Sequence, residues 1–146
     1  MSATIDEHFR KLERMYHGAE INKYFAPVLE VSEGAAKVSI KVRKDFFHAA
    51  HAMHGSVYFK ALDDAAFFAA NSAVQDVFVL TVSFNVVLLR PVTEGTITAT
   101  GRLVHNSKNL LVADAELHSD RGKLVARGNG TFAKSTIALG PSVGYV

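Results

Sequence analysis

Residues 55–73, "GSVYFKALDDAAFFAANSA", read as a helix that is apolar almost all the way round. A helix with one apolar stripe lies on a core, whereas a helix apolar on every side has to be enclosed. The rest of the chain must therefore be able to wrap it. Lys60, Asp63 and Asp64 nevertheless stand at its middle, and His48, His51 and His54 crowd in just ahead of it. Buried carboxylates are costly unless paired or employed.

The flanking segments supply a wrapping. "TIDEHFRKLERMY" places Ile5, Phe9, Leu12 and Tyr16 on one helical stripe, with Thr4 and Glu7 suited to a capping box. "APVLEVSEGAAKVSIKVRK" then changes to period two, with Glu33-Gly34 as the hairpin turn. After the apolar helix only strands follow. Residues 77–90, "VFVLTVSFNVVLLR", form a long one, apolar at every even position from Phe78 to Leu88. Thr81, Ser83 and Asn85 are expected as a polar row on its other face. "TITATGRLVH", "NLLVADAELHS" and "KLVARGNGTFAKS" continue as three more strands, and the last four are expected to form a meander. This predicts an α+β fold, one antiparallel sheet around a long central helix. It has an N-terminal helix at about 4–22, a core at about 25–134 and a short tail, all in one domain.

Composition narrows the function. The chain has 146 residues, a formal net charge of +2 and no cysteine. Thiolate chemistry and disulfides are excluded. Neither a basic stripe interleaved with aromatics nor an apolar run long enough to span a bilayer is visible, so no nucleic-acid or membrane partner is expected. The charged N-terminal stretch lacks the apolar region of a secretory signal, which makes the cytoplasm the expected location.

The order of elements, with His54-Gly55-Ser56 opening the helix and Asp63 nine residues after His54, resembles the hotdog-fold acyl-CoA thioesterases of the phenylacetate-degradation type, in the 4-hydroxybenzoyl-CoA thioesterase-like superfamily. "ALDDAAFFAANS", "TVSFNVVLLRPVTEG" and "GKLVARGNGTF" are similar to that family's helix, long strand and last strand. The resemblance implies hydrolysis of a small, medium-chain or aromatic acyl-CoA. Asp63 would be base or nucleophile, the Gly55 amide the oxyanion donor, and Thr81 a hydroxyl that orients water. It also implies a homodimer joined sheet edge to sheet edge, and a dimer of dimers beyond that. Two positions depart from the pattern. Ser56 replaces a second glycine, and His48 stands where the family often has an Asn that polarises the thioester carbonyl.

Physical chemistry supports parts of that assignment. The first turn of a helix offers free N–H groups and a positive dipole end, and Gly55 lets a substrate approach them. The plainer role for Gly55 is a tight entry into a packed helix. Lys60 to Asp64 is an i,i+4 spacing, which suits Asp64 to an ion pair; Asp63 could also pair with Lys60, three residues earlier, and it is the resemblance that picks Asp63 for chemistry. Eight residues separate Gly55 from Asp63, about 12 Å of helix, so two groups acting on one thioester come from different chains.

His54, Ser56, Ser83, Asn85 and Lys108 are candidates for contacting substrate, and Arg127 and Lys134 for contacting its phosphates. His48, His51 and His54 lack an obvious fourth ligand, so no metal site is expected. No cofactor is expected either, coenzyme A being part of the substrate. The many alanines of the helix suggest room for a bulky acyl group. Two alternatives remain open: an enoyl-CoA hydratase or dehydratase pairing His48 or His51 with Asp63, and a non-catalytic acyl-CoA-binding protein.

Overall fold

The computed structural model describes residues 2–146. The chain runs α1 (Ser2–His17), a one-turn α2 (Asn22–Phe25), the hairpin β1 (Val28–Ser32) and β2 (Ala35–Lys41), α3 (Gly55–Asn71), then β3 (Val77–Leu88), β4 (Thr96–Asn106), β5 (Leu111–His118) and β6 (Leu124–Ala138). The first helix stops at His17, short of the expected 22, where Gly18 follows and α2 forms a separate turn. Its stripe is buried as expected at Phe9, Leu12 and Tyr16. The cap expected from Thr4 lies outside the described side chains. Gly34 takes the hairpin turn at φ +67°, a conformation that suits glycine.

All six strands join one antiparallel sheet in the order β1-β2-β4-β5-β6-β3. The expected four-strand meander is therefore wrong in one place. β4, β5 and β6 follow each other, but β3 lies at the far edge beside β6. The reason is the helix. α3 crosses the concave face from the β2 side and delivers the chain to the opposite edge. Residues 89–95 then return along the sheet's end. Leu89 N–H donates to Val125 at 2.9 Å, Met53 N–H to Val92 at 2.9 Å, and Val42 N–H to Gly95 at 2.9 Å.

The alanines of α3 bring the helix down onto the sheet. Ala61, Ala65, Ala66, Ala69 and Ala70 are fully buried. A Cβ on Gly101 of β4 would lie 2.2 Å from the Ala65 carbonyl oxygen. The small residues thus serve close packing and leave no room for an acyl group at that face, contrary to the expectation above.

The two sheet edges differ. On β1, Leu29 N–H donates to His17 Nε2 at 3.0 Å and Val31 N–H to Glu13 Oε2 at 2.7 Å, while Arg10 donates to Val31 O at 2.7 Å. Side chains of α1 thus occupy that edge in place of another strand. Beyond Val79, β3 has β6 on one side and, among the described residues, no partner on the other.

Candidate active site

His54 is the N-cap of α3, its Nδ1 accepting the Ser56 N–H at 3.0 Å with the Ser56 hydroxyl 2.9 Å away. That geometry places the ring proton on Nε2. The side chain works as Asx and Ser caps do, satisfying one of the free amides of the first turn. The next amide, on Gly55, has no intramolecular acceptor among the described residues. Gly55 shares a cleft of about 310 Å³ with His48, Tyr58, Leu88 and Arg90. His48 is exposed there, its Nδ1 accepting the Ala50 N–H at 3.1 Å. Its Nε2 then carries the proton and is a donor. Among the described residues no three acidic, histidine or cysteine groups cluster as a metal site would.

Two turns further along, the adjacent aspartates have different surroundings. Asp64 Oδ2 accepts from Lys60 Nζ at 2.8 Å and from the Tyr16 hydroxyl at 2.6 Å. The Lys60 and Asp64 side chains are only 13% and 15% exposed, and burial raises the Asp64 pKa against the opposing effects of Lys60 and Tyr16. Lys60 also lies over the Tyr16 ring, 5.1 Å from its centroid, and the Phe25 ring at 5.3 Å. Asp64 is thus fully engaged as structure. Burial, then the Asp64 charge, push the Tyr16 phenol well above its usual range.

Asp63 is half-buried and accepts one hydrogen bond, from the Thr81 hydroxyl at 3.0 Å. Burial, and next the neighbouring Asp64 charge, raise its pKa from 3.8 to about 6, against smaller opposing effects of Thr81 and Lys60. A carboxylate so raised is a stronger base than an ordinary aspartate and is still ionised at neutral pH. It borders a second cleft, of about 720 Å³, between the end of α1, α3, the start of β3 and the C-terminal tail.

Thr81 reaches Asp63 because it shares the helix-facing side of β3 with Val79, and a bulge follows it. Thr81 pairs with Phe132 and Ser83 with Thr131, so Val82 is the extra residue. Before the bulge Val79 and Thr81 face the helix. After it Phe84 does, over Gly128 and Gly130 and edge-on to Phe59 at 5.6 Å. Ser83 and Asn85 therefore turn to the other face and do not share a row with Thr81. This corrects the expected polar row and separates both residues from Asp63. Lys108 lies in the β4–β5 turn, while Arg127 and Lys134 stand on β6 opposite Val87 and Val79. None of the three borders either cleft. The cation that does border the Gly55 cleft, Arg90, was missed, although it belongs to the quoted Arg-Pro end of the long strand.

A helix inside a curled antiparallel sheet, with an acid on the helix and a free amide at its start, defines the hotdog class. Solved structures agree. The PaaI protein of the E. coli phenylacetic acid degradation operon superposes with a TM-score of 0.83 at 24% identity, covering 91% of this chain and 96% of that one. A thioesterase from Haemophilus influenzae superposes with a TM-score of 0.76 at 16% identity, covering 84% and 87%. In sequence, a protein provisionally assigned as an esterase in Saccharolobus solfataricus is 23% identical over 128 residues, 88% of either chain. The family model of the thioesterase superfamily matches residues 50–126, and the chain belongs to that superfamily.

Proposed function

We propose that this chain is an acyl-CoA thioesterase whose active sites each combine two protomers. The observation that carries the reading is the division of labour between two clefts. One holds the base-like Asp63 with Thr81, the other holds the free Gly55 amide with the His48 donor. About 12 Å of helix separates the two groups within a chain, too far for both to touch one thioester. Both clefts border β3, the strand whose outer edge is open. Pairing two copies through that edge, about a two-fold axis, brings the Asp63 of one chain towards the Gly55 of its partner.

In such a site the thioester carbonyl oxygen accepts the Gly55 N–H, and the helix dipole stabilises the oxyanion that develops. His48 Nε2–H is a second donor in the position of the family's Asn. Asp63 either takes a proton from water, which adds to the carbonyl carbon, or attacks that carbon itself. Collapse breaks the C–S bond and releases coenzyme A, its sulfur receiving a proton. With water as nucleophile the other product is the free acid; with Asp63 as nucleophile it is an acyl-aspartyl anhydride, which a water then hydrolyses to the free acid and the regenerated carboxylate. Thr81 donates to Asp63 Oδ1, leaving Oδ2 for water or carbonyl.

The test mixes two inactive variants, Asp63→Asn and Gly55→Val. Subunit exchange, checked by mass spectrometry of tagged chains, forms heterodimers with one intact and one doubly damaged site. About a quarter of wild-type activity returns at equal mixing, from the statistics of a closed dimer. No recovery despite proven exchange refutes the shared site. An enoyl-CoA hydration assay run alongside reports on the dehydratase alternative.

A further inference from the structure

The cleft beside Asp63 has a polar end and an apolar body. At the polar end stand Asp63, Thr81 and the Lys60–Asp64–Tyr16 group, whose members bond to one another. The body is floored by Phe67 and Phe78, whose centroids are 5.2 Å apart. Its outer wall comes from two distant pieces of chain, the 18–22 turn after α1 and residues 142–144 of the tail. Both lie outside the 50–126 segment that matches the superfamily.

The tail is seated on α1. Tyr145 donates its hydroxyl to His8 Nδ1 at 2.7 Å, and His8 Nε2–H donates to the Asn71 carbonyl at 3.0 Å, at the end of α3. His8 is 2% exposed, and burial holds its pKa below the usual imidazole value, so one neutral tautomer fits both bonds. Arg14 donates to the Val146 carbonyl at 2.6 Å, and Lys11 Nζ lies 5.4 Å from the Tyr145 ring centroid. Tyr145 and Val146, which follow the wall residues 142–144, are therefore held on α1.

We infer that this cleft is the acyl subsite, and that the wall formed by Ile21 and Val143 sets how long an apolar acyl group it accepts. The inference rests on the thioesterase reading for its reaction. Its geometry is independent of that reading, since about 720 Å³ of mainly apolar space is the size of a site for a substantial organic group. An acetyl group leaves most of it unfilled, whereas a medium-chain acyl group runs from Asp63 past Phe67 and Phe78 to the wall. The cleft thus assigns the substrate class as medium-chain apolar acyl thioesters.

Ile21→Trp and Val143→Trp each place a large side chain in the wall without touching Asp63, Thr81, Gly55 or His48. kcat/KM is measured for acetyl-CoA and octanoyl-CoA, and binding of the neutral apolar fluorophore N-phenylnaphthylamine is titrated, with unfolding curves confirming the fold. The wild type is expected to prefer octanoyl-CoA. In each variant the octanoyl-to-acetyl ratio falls about tenfold or more. Fluorophore affinity falls about fivefold in parallel. An unchanged ratio with acyl-CoA hydrolysis intact overturns the subsite and leaves the thioesterase reading standing. If the wild type hydrolyses no acyl-CoA, that reading fails. The fluorophore alone then decides the cleft, and unchanged affinity in both variants overturns it.

Discussion

Asp63→Asn should stabilise the protein at neutral pH while abolishing its activity. The Asp63 pKa stands near 6 against an unperturbed 3.8, because burial and the Asp64 charge disfavour its ionised form. A raised carboxylate pKa means that the folded state holds its proton more tightly than the unfolded chain does. Below about pH 3 both states are protonated and the site costs nothing. Between about pH 4 and about pH 6 the unfolded chain ionises while the folded site holds its proton, so the cost grows, and it is complete above about pH 7, where the folded state carries a partly buried charge. The shift of about 2 units corresponds to at most about 3 kcal/mol at 1.36 kcal/mol per unit. Solvent contact at this half-buried site and relaxation of Asp64 reduce the expected value to about 1–2 kcal/mol.

Asn keeps an oxygen to accept the Thr81 hydroxyl and removes the charge. Urea midpoints of wild type and variant, at one protomer concentration because association contributes to stability, should coincide near about pH 3. They should separate in favour of the variant towards about pH 8. The same ionisation should appear in wild-type kcat/KM as a fall in activity on acidification through about pH 6. A stability difference independent of pH, or a variant less stable at the alkaline end, would refute the electrostatic reasoning even if activity were lost.

Two other substitutions test separate parts of the structure. His48→Asn should keep substantial thioesterase activity, because an amide supplies a donor in place of the imidazole Nε2–H. A dead variant would instead assign His48 to proton transfer. Gly101→Ala should destabilise the fold by about 1–3 kcal/mol, since the new methyl meets the Ala65 carbonyl, a helix backbone atom that cannot step aside. A thermal melt unchanged from wild type would show that α3 does not approach β4 so closely.

The helix, the hairpin at Gly34 and the ion pair of Lys60 with Asp64 were legible in the sequence because each is a local pattern. Spacing of three or four residues reports a helix face directly. The phase of β3 was not legible. A bulge inserts one residue and exchanges the faces beyond it without any change in composition. Alternation therefore put Thr81, Ser83 and Asn85 in one row, whereas Val82 divides them. The place of β3 in the sheet was also hidden, because strand composition does not say which neighbour a strand meets after a helix has crossed the sheet. In the sequence Asn71 is visible only as part of a helix ending that resembles the family's. It bonds the Val79 N–H at 3.0 Å and the Val74 and Val77 carbonyls at 3.0 and 3.2 Å. His8 meets Tyr145 across 137 positions of chain, a separation with no signal in any local window.

The unequal edges of the sheet have a consequence for growth. A sheet with two free margins behaves like a bifunctional monomer, able to add copies at both ends without limit. Here Glu13, Arg10 and His17 occupy one margin much as a terminator occupies a growing polymer. The other margin carries Leu80 at 45% and Val82 at 63% exposure, a strand surface suited to one like itself. If copies pair through β3 as proposed, that association is monofunctional and would stop at two. The same few side chains of the first helix that hold β1 in place would then be what keeps such a pair from growing into a fibre.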